Sequence, residues 1–386
     1  MTTLTKLIEE NSVIVCVGSG GVGKTTTAAT LALGAAIAGK KTLVITIDPA
    51  RRLADALGLT MLSAHAAPIQ PEILGTTSFR LQAPLYGMML DLQSAWDDLV
   101  RRVSQNKEVV DRILRNRFYR QLSRELVGAQ EFIACETLYA QWEEMKPDLI
   151  ILDTPPTRNA LDFLDAPNRI LDFLENDAFQ YFLKQKETGR LGRMGLQFLD
   201  SAQGAINLFL SKFAGTDFIT ELSDFLFMMR DLYPPIIRRT RSFQKLLASE
   251  KTKFLVVTQP SSQAIHEATF FVEELKQRKL PCGGMVINRV LQSDPLLADF
   301  EANSTALKKQ AKSEHQINDQ QWEQIQAALL AHRKQTNFQK TQLNRLKEQL
   351  PADCAQFIVP DLQRDLSNAL GLRSLLSVYG FVKAEP

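Results

Sequence analysis

The sequence predicts an α/β fold, a mostly parallel central sheet with helices on both faces, and three observations predict it. Short apolar runs recur along the chain, and most stop at a polar or glycine-rich turn. Helical patterns lie between them. The first run leads straight into a glycine-rich turn that opens a helix. Continuous apolar runs of this length read as strands buried on both faces. Strands alternating with helices make a parallel sheet covered on both sides, and right-handed crossovers then fix most of the topology.

In chain order the runs are Val13–Val17, Leu43–Ile47, a weaker Phe79–Leu81, Leu149–Leu152, Phe254–Val257, Met285–Ile287 and Phe357–Val359. Lys24–Ala38, rich in Ala, Leu and Thr, is a predicted helix, and Gly39 followed by two lysines is its stop. Ser262–Arg278 is another. Helical stretches interrupt the alternation at about 85–145, 168–247 and 295–350. The second is rich in Phe, Leu and Met; the third is polar, rich in Lys and Gln, and reads as a solvated arm. The chain is therefore read as a single domain, residues 1–386, carrying helical insertions.

A formal net charge of +2 gives no bulk electrostatic case for nucleic acid or an acidic partner. Basic residues cluster only locally, as at Arg238, Arg239 and Arg241. The four cysteines, Cys16, Cys135, Cys282 and Cys354, are far apart in sequence with no C-x-x-C, and the four histidines are equally scattered, so no zinc site is visible. The start, MTTLTKLIEE, is not a signal peptide. No apolar stretch reaches the roughly 18 residues a membrane helix needs. The expectation is a cytoplasmic protein with no transmembrane segment of its own.

Val13–Val17 runs into Gly18-Ser19-Gly20-Gly21-Val22-Gly23-Lys24-Thr25, a match to G-x-x-x-x-G-K-[ST] between a strand and a helix. In such a loop Gly20, Gly21, Val22 and Gly23 turn successive backbone N–H groups toward phosphate oxygens, and the helix beginning at Lys24 adds its positive end. Lys24 is the candidate contact for the β- and γ-phosphates of ATP, and the Thr25 hydroxyl, next to Thr26, the candidate ligand of Mg²⁺.

Phosphoryl transfer also needs a metal-holding group and one that orients the attacking water, and ligands of open parallel sheets sit beyond the carboxyl ends of the strands. Two aspartates occupy such ends. Asp48 opens Asp48-Pro49-Ala50-Arg51-Arg52, and Asp153 opens Asp153-Thr154-Pro155-Pro156-Thr157-Arg158. The functional reading gives Asp153 to the Mg²⁺ shell and Asp48 to the lytic water, with both segments sensing the γ-phosphate. The plainer reading makes each a helix N-cap.

These residues also carry a resemblance. G-G-V-G-K-T-T at Gly20–Thr26, I-D-P-A at Ile47–Ala50, D-T-P-P-T at Asp153–Thr157, V-I-N at Val286–Asn288 and V-P-D-L at Val359–Leu362 resemble, in order and spacing, the ArsA-like family of arsenical-pump and tail-anchored-protein-targeting ATPases. The resemblance implies that Asn288 reads the adenine edge and that the backbone of Pro360, Asp361 and Leu362 packs on the base. Taken alone, Asn288 is a polar strand-end residue that also suits a turn. The resemblance further implies a homodimer with nucleotides sandwiched between subunits. Most members place a lysine at the second loop position to reach the partner's phosphates. Here that position is Ser19, which carries no charge. Arg51, Arg52 and Arg158 are the candidate substitutes; otherwise they are solvated helix-face charges.

In targeting members, helices matching 168–247 form a groove for a transmembrane segment, so a hydrophobic or tail-anchored membrane-protein client is one reading of its Phe and Met residues. Packing against the core and a partner subunit is the other. Two further function classes stand beside the client-handling ATPase: an ATP-gated binding module with little turnover, in view of Ser19, and a positioning ATPase, which wants a membrane helix or a basic face. An arsenite pump is disfavoured, with a single P-loop and no cysteine in either aspartate segment.

Overall fold

The computed structural model describes residues 3–48, 50, 52–69, 80–125, 129–155, 157–177, 179–180, 183–184, 216–292, 295–352, 354–362 and 369–382. Its strands are β1 (Val13–Val17), β2 (Thr42–Thr46), β3 (Ala67–Pro68), β4 (Leu85–Met89), β5 (Leu149–Asp153), β6 (Thr252–Thr258), β7 (Cys282–Val290) and β8 (Gln356–Pro360). They make one sheet in the order β3-β4-β2-β5-β1-β6-β7-β8. Every neighbouring pair is parallel except β3 with β4.

All residues of β1, β2 and β5 are buried. That is the burial a sheet covered on both faces requires, and it is why these segments read as unbroken apolar runs. From β1 the chain moves to β2 and β4, returns to β5 beside β1, and then builds β6, β7 and β8 on the other side. The order reverses at β1, so the crevice at the carboxyl ends opens just where the glycine-rich loop leaves that strand.

The helices are α1 (Leu4–Glu10), α2 (Lys24–Ile37), α3 (Arg52–Ala56), α4 (Leu92–Val103), α5 (Lys107–Arg115), α6 (Arg117–Glu125), α7 (Ala129–Glu144), α8 (Thr157–Leu174), α9 (Thr216–Met228), α10 (Tyr233–Leu247), α11 (Ser262–Gln277), α12 (Pro295–His315), α13 (Asp319–Gln349) and α14 (Ala369–Val378). The strands' alternating side chains divide the core in two. Ile14 and Cys16 face α1, α2, α3 and α14. Val13, Val15 and Val17 face the layer that α4 to α8, α10, α11 and α13 help to build. Local signals place the ends: Asp91 caps α4 by accepting from Ser94 N at 2.8 Å, and Asn318 and Gln321 form a reciprocal capping box on α13.

The structure departs from the sequence reading in three places. Leu85–Met89, inside a stretch expected to be helical, is strand β4, paired in register with Thr42–Thr46. Arg80 and Leu81 belong to no strand, and Phe79 lies outside the described residues. The polar arm is only partly solvated, since Trp322, Thr336, Gln339, Gln342 and Leu346 of α13 are buried. Gln339 Oε1 accepts from Leu291 N at 2.8 Å, which fastens α13 to the chain leaving β7. Among the described residues no helix is long and apolar enough to cross a membrane.

Candidate active site

The loop from Gly18 to Gly23 joins β1 to α2, and Gly23 caps α2 in the left-handed region with φ 96°. A side chain at Gly23 would be strained by that backbone and would meet the Asn288 amide nitrogen at 2.6 Å. Gly20 and Gly21 are exposed and Val22 is buried, so the loop is open on one side and anchored on the other. The α2 N-terminus behind it directs its free N–H groups into the concavity.

Lys24 is the first residue of α2, and its ammonium is turned back into the loop. Nζ donates to Gly18 O at 2.9 Å and to Ser19 O at 2.7 Å. Burial lowers its pKa, and the Asp153 carboxylate pulls the other way. Phosphate oxygens entering the concavity would exchange these two carbonyl acceptors for stronger, charged ones.

Asp153 ends β5 one strand away. Its Oδ2 accepts from Thr25 Oγ1 at 2.8 Å and from Thr46 Oγ1 at 3.1 Å. Its Oδ1 is buried and has no hydrogen-bond partner. Burial pushes this carboxyl up to about 6, against the lowering pull of the Thr25 hydroxyl and Lys24. A buried carboxylate oxygen without a partner, beside a threonine hydroxyl at a phosphate loop, is a donor set of the kind a hard divalent cation takes. Among the described residues, no group of three or more His, Cys, Asp or Glu side chains makes a metal site by itself.

Asp48 follows β2. Its Oδ1 accepts from Ala50 N at 2.9 Å, and its Oδ2 lies 3.6 Å from the Arg52 guanidinium. The first contact is turn-forming and not the helix N-cap of the plainer reading, since α3 begins only at Arg52. Arg52 is 63% exposed, Arg51 lies outside the described residues, and so does the side chain of Arg158. Thr46 escaped the sequence reading. Its hydroxyl donates to Asp153 and accepts from Asp48 N at 3.3 Å, so it bridges the two aspartate segments. The signal available was a hydroxyl residue two positions before Asp48, inside the apolar run Leu43–Ile47. Thr154 Oγ1 ties the second segment to Cys16 O at 2.8 Å, at the foot of the loop.

Asn288, near the end of β7, is turned toward the same loop. Nδ2 donates to Val22 O at 2.9 Å, which commits the amide nitrogen to the loop. Beyond it, Pro360 is the register partner of Val290, and Asp361 N donates to Val290 O at 3.0 Å. Leu362 packs on the α2-side core. The structure thus gathers Lys24, Thr25, Asp48 and Asp153 at one end of the crevice. Asn288 stands beside the loop, with Pro360, Asp361 and Leu362 at the adjoining edge of the sheet.

Comparison with known proteins gives a concordant result. Residues 11–351 match the model of a family described as anion-transporting ATPase. The chain is 28% identical over 324 residues to a protein named ATPase ASNA1 homolog 2 from Paramecium tetraurelia, an alignment covering 80% of this chain and 85% of that one. It is 25% identical to ATPase GET3B from Arabidopsis thaliana, covering 78% and 69% of the two chains. It is likewise 25% identical to ATPase GET3 from Malassezia globosa, covering 76% and 77%.

Proposed function

The chain belongs to the anion-transporting ATPase family and is an ATPase, and from that premise we propose that it is a homodimeric switch coupling Mg·ATP hydrolysis to the handling of a hydrophobic or tail-anchored membrane-protein client. The observation that carries the coupling is a connection. The segment begun by Asp153 leads at once into α8, which packs against α7 and α10 on the far side of the sheet. A change at the phosphate end therefore has a short, stiff route into the helical layer.

In this reading the N–H groups of Gly20 to Thr26 bind the phosphates. Lys24 gives up its loop carbonyls for the β- and γ-phosphate oxygens. Thr25 and Asp153 would hold Mg²⁺, which when bound would supply positive charge to offset that developing on the transferred phosphoryl group. Asp48 accepts a hydrogen bond from the attacking water and aligns it with the γ-phosphorus. Arg52, with Arg51, supplies the positive charge that Ser19 lacks, once the γ-phosphate competes with Asp48 for the guanidinium. Asn288 and the backbone at Pro360, Asp361 and Leu362 border the base.

The proposal assigns the client surface to the stretch 168–247. Of its large apolar side chains, Phe225 is buried in the core and Phe227 lies against Arg230. Phe182, Met194, Phe198, Phe209 and Phe213 fall outside the described residues, as does the side chain of Phe218. A cavity of about 420 Å³ opens between the α5–α6 turn and α9, lined by Phe118, Phe225 and Met228 with Arg117, Glu221 and Asp224 at its polar side.

The test is copurification from cells with Asp48→Asn, which would hold ATP without turning it over. Recovery of tail-anchored membrane proteins in an ATP-dependent manner supports the proposal, and recovery of only soluble proteins rejects the client class. Sedimentation with and without a non-hydrolysable ATP analogue tests the dimer, and a monomer at micromolar concentration in both states removes it.

A further inference from the structure

The network around the phosphate loop reaches a part of the chain that motif reading passes over. Tyr379 follows α14, the last described helix, and its Oη donates to Thr27 Oγ1 at 3.2 Å. Thr27 lies in the first turn of α2, and the same hydroxyl oxygen is 3.5 Å from Asn288 Nδ2. That nitrogen also donates to Val22 O, the carbonyl just before Gly23. The three side chains are 5%, 1% and 9% exposed in the order Tyr379, Thr27, Asn288. A buried relay thus runs from the end of α14, through the start of α2 and the end of β7, to the loop backbone.

Local structure explains how Tyr379 comes to be there. Gly380 N donates to Ser377 O and Phe381 N to Leu376 O, the paired bonds of a Schellman stop, with Gly380 at φ 82°. The stop turns the chain so that Phe381 lies over Gly34 in the last turn of α2, where any Cβ would overlap its ring. Leu372, Leu375 and Leu376 complete the contact in the α2-side core. The tyrosine is therefore held by its own helix and not by the loop it touches.

We propose that Tyr379 is a positioning residue of the nucleotide site, and that α14 braces the phosphate loop through Thr27 and Asn288. The proposal rests on the nucleotide occupying the Gly20–Thr26 loop. Asn288 offers two N–H donors, one directed at Val22 O and the other toward Thr27 Oγ1. With the tyrosine hydroxyl fixing Thr27, the amide keeps this orientation and Val22 O stays pinned. The loop then keeps its N–H groups converged before phosphate arrives, so less ordering remains to be done on binding. Loop amides hold phosphate in the ground state and the transition state alike. Loss of the brace should therefore appear in affinity and not in the chemical step.

The experiment compares Tyr379→Phe, Thr27→Val, Thr27→Ser and the double variant Tyr379→Phe/Thr27→Val in the full chain. Mg·ATP affinity, kcat and thermal midpoint are read for each. Tyr379→Phe should weaken Mg·ATP binding about fivefold, the worth of one buried hydrogen bond, with kcat within about twofold of wild type. The double variant should be no weaker than the worse single one, because both break one relay, and Thr27→Ser should restore affinity that Thr27→Val loses. Leu99→Ala, on the opposite face, serves as a control that lowers the thermal midpoint and leaves affinity alone. Unchanged affinity in Tyr379→Phe, additive effects in the double variant, or an affinity loss in Leu99→Ala matching its stability loss would each overturn the proposal. If wild type binds Mg·ATP and Lys24→Ala binds it equally well, the loop reading itself fails, and the brace with it.

Discussion

On one face of the sheet α2 presents Ala28, Ala29, Ala32, Ala35 and Ala36, all buried. Short side chains let this helix lie close to the strands, and its N-terminus, the phosphate loop and Lys24 are carried by that contact. The opposite face is built from larger side chains. Phe163, Phe243, Phe254 and Phe271 fill it. Above them a buried carboxylate, Glu136 of α7, sits between Arg239 of α10 at 2.7 Å and Arg102 of α4 at 3.6 Å. Arg239 also reaches Glu143 through Nη1, and Arg102 reaches Glu144 through Nε. The first face carries the residues proposed to meet phosphate, the second the packing of helices. The comparison teaches a division of labour. Substitutions on the α2 face should change chemistry at little cost in stability, and those in the helical layer should do the reverse.

Lys24→Ala offers the largest effect with which to break that division. Turnover should fall by on the order of a thousandfold and Mg·ATP affinity should weaken too, because a charged donor to the phosphates is gone. The thermal midpoint should stay within a few degrees, since the lysine is partly desolvated by its own burial. Normal turnover in this variant would remove the loop from the mechanism.

Asp48→Asn should cost about a hundredfold to a thousandfold in kcat while Mg·ATP affinity holds, since the site stays filled and only the orienting carboxylate is lost. The neutral amide can still accept from Ala50 N, the contact Asp48 Oδ1 now makes, so the turn should persist. If affinity and turnover fall together in direct binding and steady-state assays, Asp48 is a turn-former or a metal-shell group.

How far the sequence already showed these two faces follows the same divide. The sequence singled out the glycine-rich loop, both aspartates and Asn288, because the proposed phosphate chemistry ties residue type to position at strand ends, and the structure brings these residues to one end of the sheet. The central strands were legible because burial on both faces demands unbroken apolar runs. β4 was not. Leu85-Tyr-Gly-Met-Met lacks β-branched residues and leads into a capped helix at Asp91, so local preference favours a helix. Pairing with β2 overrides it. β3 is a two-residue bridge and leaves no pattern to read. Thr46, Thr27 and Tyr379 were missed for another reason. Their roles arise from contacts 107 and 352 residues apart in the chain, which no local spacing encodes. The outer layer showed only its helical periodicity.

The helical layer makes the converse prediction. Burial pushes the Glu136 carboxyl up to about 7 despite the adjacent Arg239 and Arg102. Its folded pKa is thus above the ordinary carboxylate value, and the folded state binds the proton more tightly than the unfolded chain. The stability this group contributes is fully present below about 4.5 and is lost as pH rises through about 7. Urea unfolding of wild type and Glu136→Gln across this range should show the wild type losing stability relative to the variant as pH rises. Glu136→Ala, which leaves Arg239 without its buried partner, should cost about 3 kcal/mol. Turnover per folded molecule should be unchanged in both variants. A fall in kcat with stability intact would join the two faces energetically and end the division of labour.

Arg52→Ala should have the smallest effect, and it tests the α2 face at its edge. The guanidinium is 63% exposed and 3.6 Å from Asp48 Oδ2, a geometry that contributes no more than about 1 kcal/mol to stability in water. Thermal midpoints of wild type and variant should coincide within about two degrees. If the guanidinium moves to the γ-phosphate, its value appears only as charge develops there, so kcat should fall about tenfold with KM nearly constant. Salt offers an independent reading. An exposed pair is screened over about 10 Å at 0.1 M salt, so raising ionic strength should depress wild-type kcat toward that of the variant, whose own salt response should be flatter. A rise in KM with kcat unchanged would make Arg52 an electrostatic guide for the nucleotide. The positive charge missing at Ser19 would then have to come from elsewhere, with Arg51 the adjacent residue to substitute next.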